Sequence, residues 1–367
     1  MAKKRRAVKT DFADNTTQEI ISKYGNVIKS GVKVFEESEN LQVIPVSPAI
    51  DLALGGGIKE GSWVIFTGDP KTGKTTTALK FAATCQKEEW GGRTVIYINA
   101  EGRLKSMNLG GVEGLDLSPE KFKIVQSEDE PLSAEEFLSI AEQYIRETPE
   151  CVVVVDSISS LIPEKELTGE LTAFSRALLP RLLGSWTKKL ATVVPAQRAT
   201  VVMITHFIAN TSGYGKMKMS DGGNKIRYQV DTHMEVKRVT PWEVAGEQIG
   251  QMLTWKVICS GSGGFPGAEA ESWLRYGTGI DNTQELIHQA MQMGLIDKGG
   301  GGMYRCDYIL DNKEKAKEWF VRNEVNLEDE EATIKAVKFK GQEKLYVFLS
   351  ENEDMANLLR EILGEMI

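Results

Sequence analysis

"SWVIFTGDPKTGKTTTALKFA", residues 62–82, is the stretch that decides the fold of this chain. Its apolar start has the pattern of a strand, its end has a helical pattern, and residues 68–75 between them fit G-x-x-x-x-G-K-[ST]. This motif indicates a phosphate-binding loop when a strand precedes it and a helix follows. Gly68 and Gly73 let backbone N–H groups turn toward an anion, and the helix start adds its positive end. The sequence therefore predicts a nucleotide site; the alternative is an ordinary glycine-containing turn.

Apolar runs alternate with helical patterns around this loop. Runs rich in Val and Ile and bounded by turns are typical of parallel strands that helices bury on both faces. We therefore predict a doubly wound α/β fold with a mostly parallel sheet. The predicted strands are SWVIFTGD, TVIYINAEG, CVVVVDS and ATVVMITHF, with helices from Thr75 to about residue 88, near 133–147 and near 174–191. Three later segments, THMEVKRV, QMLTWKVICS and AESWLRYGTGI, predict an antiparallel edge to that sheet.

We expect three regions along the chain. Residues 1–40 combine a basic tail with a helix capped by Thr16 and a short strand, VKVFEE. Residues 41–282 form the α/β core, and residues 283–367 form a smaller α+β lobe. Within the core, residues 205–225 follow an apolar strand with Gly, Ser, Lys and Asn, which cannot pack a core. An irregular connection of that length is usually functional or disordered.

Composition limits the classes of function. The 367 residues are 41% hydrophobic and 26% charged, as in folded globular proteins. The net charge of −8 means that any binding to nucleic acid needs local basic stripes; KKRR near the start is either such an arm or a solvated tail. We expect a cytoplasmic protein, because no apolar run approaches the roughly 18 residues of a membrane span and the N-terminus lacks a secretory signal. Four scattered cysteines and three histidines predict neither a disulfide framework nor a metal cluster.

Candidate chemistry lies in and beside the glycine-containing loop. Lys74 would reach the β- and γ-phosphates, and Thr75 would bind Mg²⁺. Asp156 ends the apolar strand CVVVVDS at the sheet edge where α/β folds bind ligands, so it is a second candidate for Mg²⁺ or else a turn residue. Glu101 ends YINAEG and is either the general base for attack of water or a solvated strand-end carboxylate. The predicted nucleotide-binding residues are Gly68, Asp69, Pro70, Lys71, Thr72, Gly73, Lys74, Thr75 and Thr76.

Several segments, in this order, resemble the RecA family of ATP-dependent DNA recombinases. SPAIDLALGGGIKEG is similar to the family segment before the phosphate loop, INAEG to its catalytic-glutamate strand, and VVVVDSISSLIPEKELTGE to its Walker B strand and first DNA-binding loop. ITHFIAN and DGGNKIRYQVDTHMEVKR are similar to the segments on either side of the second DNA-binding loop, and ELIHQAMQMGLIDKGGGGMYRC to the C-terminal lobe. The likeness is greatest to the bacteriophage UvsX-type branch.

The resemblance implies ATP and Mg²⁺ as cofactors and a helical filament on single-stranded DNA that performs homologous pairing and strand exchange. It implies that Glu101 is the catalytic base and that His206 senses the γ-phosphate, where cellular members carry Gln and phage members can carry His. The N-terminal helix and strand would dock on the next protomer, and Tyr228 would lie in that interface. Partners would be single- and double-stranded DNA, a single-strand-binding protein and a recombination mediator, in a bacterial host.

The two expected DNA-binding loops lie near residues 164–176 and 207–223. Glycine amides, lysine charge and an aromatic face suit contact with backbone and stacked bases without reading of sequence. Arg176 and Arg181 lie on the helix leaving the first loop; the alternative is an exposed helix face. The expected DNA-contacting residues are Arg176, Arg181, Asn210, Tyr214, Lys216, Lys218, Gly222, Gly223 and Asn224.

The sequence departs from the family at two places. Cys259 and Gly261 stand where cellular bacterial members carry lysines that reach the neighbour's ATP, so the group acting across the interface is Lys256, Lys225, Arg227, a bound cation or nothing. The segment GRLKSMNLGGV after Glu101 lacks the familiar adenine-stacking Tyr. Two alternative functions therefore stay open: an ATP-binding regulatory paralogue with weak turnover, and a hexameric helicase or clock-type ATPase on the same core.

Overall fold

The computed structural model describes residues 14–25, 27–169, 178–209, 218–220, 224–244 and 246–366. Residues up to Gln42 form one compact unit and those from Val43 onward another. The strands are β1 Val43–Ile44, β2 Ile58–Lys59, β3 Trp63–Gly68, β4 Val95–Asn99, β5 Phe122–Val125, β6 Val152–Asp156, β7 Thr200–Ala209, β8 Lys218–Ser220, β9 Thr232–Val244, β10 Glu247–Cys259, β11 Glu269–Arg275, β12 Gly279–Ile280, β13 Ile296–Lys298, β14 Met303–Cys306 and β15 Lys338–Lys340.

The helices surround the central sheet and build most of the C-terminal lobe. They are α1 Asn15–Tyr24, α2 Gly31–Glu39, α3 Pro48–Leu54, α4 Lys74–Cys85, α5 Ser106–Gly110, α6 Ala134–Glu147, α7 Glu164–Thr168, α8 Leu178–Leu190, α9 Val193–Ala196, α10 Asn224–Arg227, α11 Asn282–Gln292, α12 Asp307–Asp311, α13 Lys317–Arg322, α14 Glu330–Ala336, α15 Gln342–Glu351 and α16 Glu353–Glu365. None of the described helices is both long and apolar enough to span a bilayer.

The central sheet has the order β12-β11-β10-β9-β3-β7-β6-β4-β5. The pairs from β9 through β5 are parallel, whereas β9, β10, β11 and β12 pair antiparallel in sequence order. The predicted α/β fold with a mostly parallel sheet and an antiparallel edge is therefore confirmed. Long β9 and β10 pair almost along their full length, so this edge is a twisted ribbon with bulges rather than a short cap.

Both faces of the parallel strands are buried, which explains their uninterrupted apolar runs. Along β3, Val64 and Phe66 face one hydrophobic cluster with α4, while Trp63 and Ile65 face the other with α6 and α8. Alternate valines of β6 divide between the same two clusters. The fold is therefore doubly wound, with a layer of helices on each face of the sheet. Polar side chains that can carry chemistry lie at the ends of the strands.

The N-terminal unit differs from the sequence prediction in two ways. Helix α1 is capped by Asp14, whose carboxylate accepts from the Thr17 backbone N–H at 2.8 Å, and not by Thr16. VKVFEE, predicted as a strand, lies in α2, which Ser30 caps through the Lys33 N–H at 3.2 Å. A strand needs a neighbouring edge for its backbone hydrogen bonds, and no described segment of this chain pairs with residues 32–37. A helix satisfies those groups within the segment itself.

The C-terminal lobe has its own hydrophobic cluster. Helices α11, α15 and α16 pack with the antiparallel sheet β13-β14-β15 around buried Tyr308, Trp319 and Phe348. The lobe also packs on the core through α3, which contacts α11 and α16. The domain boundaries 1–40, 41–282 and 283–367 stay predictions; the contacts place everything from Val43 onward in one compact unit.

A buried ion pair joins the loop before β3 to the segment before β4. The Arg93 guanidinium donates to the Glu60 carboxylate, and each side chain is 1% exposed. Arg93 also donates to the carbonyl oxygens of Trp90 at 2.8 Å and Arg198 at 3.2 Å. The Glu60 carboxylate balances the charge of the Arg93 guanidinium away from water. Removing Glu60 therefore leaves the buried Arg93 cation without that counter-charge.

We expect Glu60→Ala to lower the free energy of unfolding by about 3–5 kcal/mol, because Arg93 loses its partner in the interior. Chemical denaturation followed by circular dichroism measures this. Glu361→Ala is the matched control, since its pair with Lys315 at 2.8 Å is solvent-exposed and should contribute little. Equal stability of the two variants would contradict a structural role for the buried pair.

Candidate nucleotide and magnesium site

Four parallel strand ends meet at one edge of the sheet. Gly68 at the end of β3 lies in register with His206 of β7, and Asn99 at the end of β4 with Asp156 of β6. Glu101 follows two residues after Asn99, and its backbone N–H donates to the Asp156 carbonyl at 3.3 Å. The structure thus brings together the predicted phosphate loop, the two carboxylates and the histidine.

The phosphate loop curls through Gly73, which has φ 77° and precedes α4. A Cβ atom on Gly73 would lie 2.4 Å from Leu274 Cδ1 and 2.6 Å from Leu253 Cδ1, so the position is restricted to glycine by both conformation and space. Thr72 Oγ1 closes the loop by donating to the Asp69 carbonyl at 2.7 Å. Pro70 and Lys71 are exposed on the outside of the loop, and Thr76 lies in the first turn of α4.

Lys74 is a buried cation held by its own loop. Its side-chain nitrogen donates to the carbonyls of Gly68 at 3.0 Å and Asp69 at 2.7 Å, and the residue is 3% exposed. Burial lowers the pKa of Lys74 to about 8, while the carboxylates of Asp156 and Glu101 oppose that shift. No carboxylate lies within 4 Å of this nitrogen in the part of the chain that the structure describes. An anionic phosphate in the loop fits that uncompensated charge.

Thr75 and Asp156 supply oxygen ligands of the kind that Mg²⁺ prefers. Thr75 Oγ1 donates to Asp156 Oδ2 at 2.7 Å, and the Tyr97 hydroxyl donates to the same carboxylate oxygen. Burial raises the pKa of Asp156, which is 7% exposed, and the hydrogen bonds from Tyr97 and Thr75 oppose that shift. A divalent cation would compensate this buried carboxylate, so the donor set fits the proposed ion.

Tyr97 was not among the candidates from the sequence. It lies in β4, is 1% exposed and stacks on Phe122, with ring centroids 6.1 Å apart. A signal was present, since a tyrosine inside an aliphatic buried strand must find a partner for its hydroxyl. Only the register of β4 beside β6 identifies that partner as Asp156.

Glu101 is bound by two neighbours. His206 Nε2 lies 2.7 Å from Glu101 Oε1, and Ser157 Oγ donates to the same oxygen at 2.9 Å. The His206 hydrogen bond is the main reason why the pKa of Glu101 falls to about 2; the Ser157 bond adds to it, and burial opposes it. The backbone N–H of His206 donates to Ser159 Oγ at 3.1 Å, so the segment after β6 positions both groups. Ser157 and Ser159 were likewise missed from the sequence.

The second expected DNA loop begins and ends in paired strands rather than in irregular chain. Phe207, Ile208 and Ala209 pair with Ser220, Met219 and Lys218 of β8. Backbone hydrogen bonds are satisfied in this ribbon, so the short segment 218–220 can adopt a strand beside β7. The backbones of Lys218 and Asn224 are described, in β8 and at the start of α10. Five predicted contacts of this loop lie outside the described residues: Asn210, Tyr214, Lys216, Gly222 and Gly223.

The first expected loop contains α7, and Arg176 lies outside the described residues. Arg181 is exposed on α8. Tyr228 is not on a strand; it follows α10 and is 86% exposed. Neither Arg181 nor Tyr228 lies at the strand ends that hold the nucleotide loop.

The residues considered as cations for the ATP of a neighbouring protomer lie at several places in the structure. Arg227 lies 3.7 Å from Glu235, so it already has an ion-pair partner. Lys256 is partly exposed on β10, and the side chain of Lys225 lies outside the described set. Cys259 is half-buried, and Gly261 packs against Asp231 beside the start of β3. Cys259 and Gly261 thus lie at the opposite end of the sheet from the phosphate loop.

Comparison with known proteins shows which family this chain is similar to. Residues 13–281 match the family model described as the RecA N-terminal domain. Protein RecA of Oleidesulfovibrio alaskensis is 30% identical over 307 residues, which cover 82% of this chain and 84% of the relative. Protein RecA of Sulfurimonas denitrificans is 29% identical over 299 residues, covering 80% and 84%. Protein RecA of Wolinella succinogenes is 27% identical over 360 residues, covering 97% and 98%.

We expect Tyr97→Phe to weaken Mg²⁺ binding to the ADP-bound protein by about tenfold, because the ring stays packed while Asp156 loses a positioning hydrogen bond. Calorimetric titration of Mg²⁺ measures the loss, and the affinity for ADP without metal should not change. Tyr308→Phe is the matched control, since it removes another buried hydroxyl, bonded to the Met355 carbonyl at 3.2 Å in the lobe. Equal Mg²⁺ affinity in both variants would exclude the role given to Tyr97.

We expect His206→Ala to raise the pKa of Glu101 from about 2 toward its ordinary value of 4.5. Because the folded-state pKa is depressed, the stabilisation that Glu101 contributes is present above pH 4.5 and is lost as the pH falls toward 2. The variant should therefore lose less stability over that acid range. Carbon-13 NMR titration of the carboxyl carbon measures the pKa. His288→Ala, which removes a contact to Glu271 at 3.0 Å, should leave the pKa of Glu101 unchanged.

Proposed function

The chain belongs to the RecA family, and from that premise we propose that it is an ATP-dependent DNA recombinase. It would form helical filaments on single-stranded DNA and catalyse homologous pairing and strand exchange. The observation that carries this proposal is the 2.7 Å contact between His206 and Glu101. His206 lies in register with Gly68 of the phosphate loop and directly before the β7 residues that pair with β8. His206 therefore contacts the proposed general base and itself lies on the strand that leads to the proposed DNA-binding ribbon.

Hydrolysis would depend on this contact. Bound Mg²⁺ would neutralise charge on the phosphates, with Thr75 and Asp156 as its protein ligands and Lys74 on the phosphate oxygens. Glu101 would take the proton of the attacking water, but a carboxylate whose pKa is about 2 is a weak base. A γ-phosphate beside Gly68 would compete for His206 Nε2, and departure of His206 would raise the basicity of Glu101. ATP would thus strengthen its own general base.

The same movement would act on DNA. His206 lies on β7 directly before the residues that pair with β8, so its position is transmitted along a single strand. We propose that the ribbon and the residues beyond it contact the phosphate backbone and stack on bases without reading their sequence. Arg181 would add charge from α8. The remaining proposed contacts are Arg176, Asn210, Tyr214, Lys216, Lys218, Gly222, Gly223 and Asn224.

Filament assembly would use exposed apolar groups. Val32, Val34 and Phe35 of α2 are 69%, 50% and 66% exposed, and Tyr228 is 86% exposed. Exposed apolar side chains on α2, and separately at Tyr228, favour contact with a protein partner, here the next protomer. A single-strand-binding protein and a mediator are further proposed partners, in the cytoplasm of a bacterial host. His206, with Cys259 and Gly261 in place of lysines, supports the proposed bacteriophage UvsX-type branch.

A regulatory paralogue is the second candidate. The observation that favours it is the uncharged pair Cys259 and Gly261 at the end of the sheet where cationic groups would serve a neighbour's ATP. If no other cation replaces them, nucleotide binding would continue while turnover falls. A ring-forming helicase on the same core would form closed rings on DNA in electron micrographs, whereas a recombinase forms filaments.

We expect single-stranded DNA to stimulate ATP hydrolysis, and Glu101→Gln to reduce the stimulated rate by about 100-fold or more, because it removes the general base. The variant should still bind single-stranded DNA more tightly with ATP than without it. A coupled phosphate-release assay and fluorescence anisotropy measure the two quantities. Glu120→Gln, at an exposed carboxylate away from the site, is the control and should behave as wild type. Hydrolysis that responds neither to DNA nor to Glu101→Gln would favour the regulatory candidate.

A further inference from the structure

A cavity of about 550 Å³ lies between the α/β core and the C-terminal lobe. Its walls come from α3, the second half of α4, α11 and α16, all within the unit that starts at Val43. That volume is within the range of pockets that hold small molecules. The cavity is distinct from the phosphate loop, which lies at the opposite, N-terminal end of α4.

Lys80 is the charged group inside this cavity. It lies on α4, lines the cavity and is 9% exposed. Within the described residues, its ammonium has no hydrogen-bond acceptor and no carboxylate within 4 Å. Burial lowers the pKa of Lys80, while the carboxylates of Glu113 and Glu285, both beyond 4 Å, oppose that shift. A buried charge is normally paired, so an unpaired ammonium facing an open volume points to an anion that is bound from outside.

The other charged groups around the cavity lie mainly at its rim. Lys87 lies 3.8 Å from Glu89, and both are exposed. Glu113 and Glu353 are also exposed at the rim. Arg360 is accessible there too and donates to Asn357 of its own helix at 2.5 Å. The rim therefore holds both signs of charge.

Deeper in the cavity the balance of positive and negative charge differs from that at the rim. Burial raises the pKa of Asp51, another residue that lines the cavity, well above its usual range, which favours its neutral form. Arg360, which also lines the cavity, places a second positive charge near Lys80. A suitable ligand thus offers one anionic oxygen to Lys80 and another to Arg360. A phosphate monoester or phosphate ion carries more than one anionic oxygen near neutral pH.

We propose that this cavity is a second anion site, which binds a small phosphate-bearing molecule with its phosphoryl group against Lys80 and within reach of Arg360. The site does not depend on the recombinase function. Pro45, Leu286 and Leu363 in the walls would cover an organic part of the ligand. Inorganic phosphate and a nucleoside monophosphate share the recognised group and differ in that organic part.

Calorimetric titration tests the site with the phosphate loop first saturated by Mg²⁺ and ADP. Inorganic phosphate and thymidine monophosphate are titrated separately into wild type, Lys80→Gln and Lys188→Gln. We expect Lys80→Gln to raise the dissociation constant for phosphate at least tenfold, while Lys188→Gln, at an exposed lysine on α8, behaves as wild type. Tighter binding of the monophosphate would identify an organic ligand, and equal binding would identify free phosphate. Equal affinity in wild type and Lys80→Gln, or no binding to wild type, would overturn the proposal.

A stability measurement tests whether the Lys80 ammonium is unpaired or forms an ion pair that stabilises the fold. In phosphate-free buffer, Lys80→Met should raise the melting temperature, because an apolar side chain of similar length replaces a buried charge. Added phosphate should stabilise wild type and not the variant. A lower melting temperature for Lys80→Met, shared by Glu113→Gln, would show that Lys80 pairs with Glu113 in solution, and the anion site would then be wrong.

Discussion

The convergence of parallel strand ends is the constraint on which the rest of this structure depends. Because β3, β4, β6 and β7 run in the same direction, groups far apart in sequence meet at a single edge. Gly68 faces His206, and Asn99 faces Asp156, through backbone register alone. The apolar interiors of these strands make the register costly to change, since a slip would bring polar ends into the core.

The site at that edge keeps several charges away from water, and each is supported differently. Lys74 is held by loop carbonyls, Asp156 by two hydroxyls, and Glu101 by a histidine and a serine. Buried polar groups with part of their bonding supplied by the protein remain available to a ligand that supplies the rest. The pKa shifts have opposite signs for the two carboxylates: burial dominates at Asp156, and hydrogen bonding dominates at Glu101. The site thus has one carboxylate whose negative charge burial disfavours and one that hydrogen bonds stabilise as an anion.

Lys80 extends this reasoning to the junction with the lobe. Helix α4 carries both buried lysines, Lys74 at its start and Lys80 in its second half. The first has carbonyl partners supplied by its own loop, and the second has none among the described residues. Lys74 is thus a cation that the fold itself binds, whereas Lys80 is the cation that we propose to bind an external anion.

The fold class, the main strands of the core and the glycine-containing loop between β3 and α4 followed from sequence because they depend on local patterns: apolar runs, glycines that allow a tight curl, and a helix that follows at once. The identity of Asp156 and Glu101 as strand-end carboxylates was accessible for the same reason. Tertiary structure alone decided that Tyr97 bonds Asp156, that His206 contacts Glu101 and that the Lys80 ammonium has no ion-pair partner among the residues described. These depend on which strand or helix lies next to which, and a hydrogen bond between distant residues leaves no periodicity in the chain. The VKVFEE segment shows the same limit: its alternation suits a strand, but a strand without a neighbouring edge is replaced by a helix.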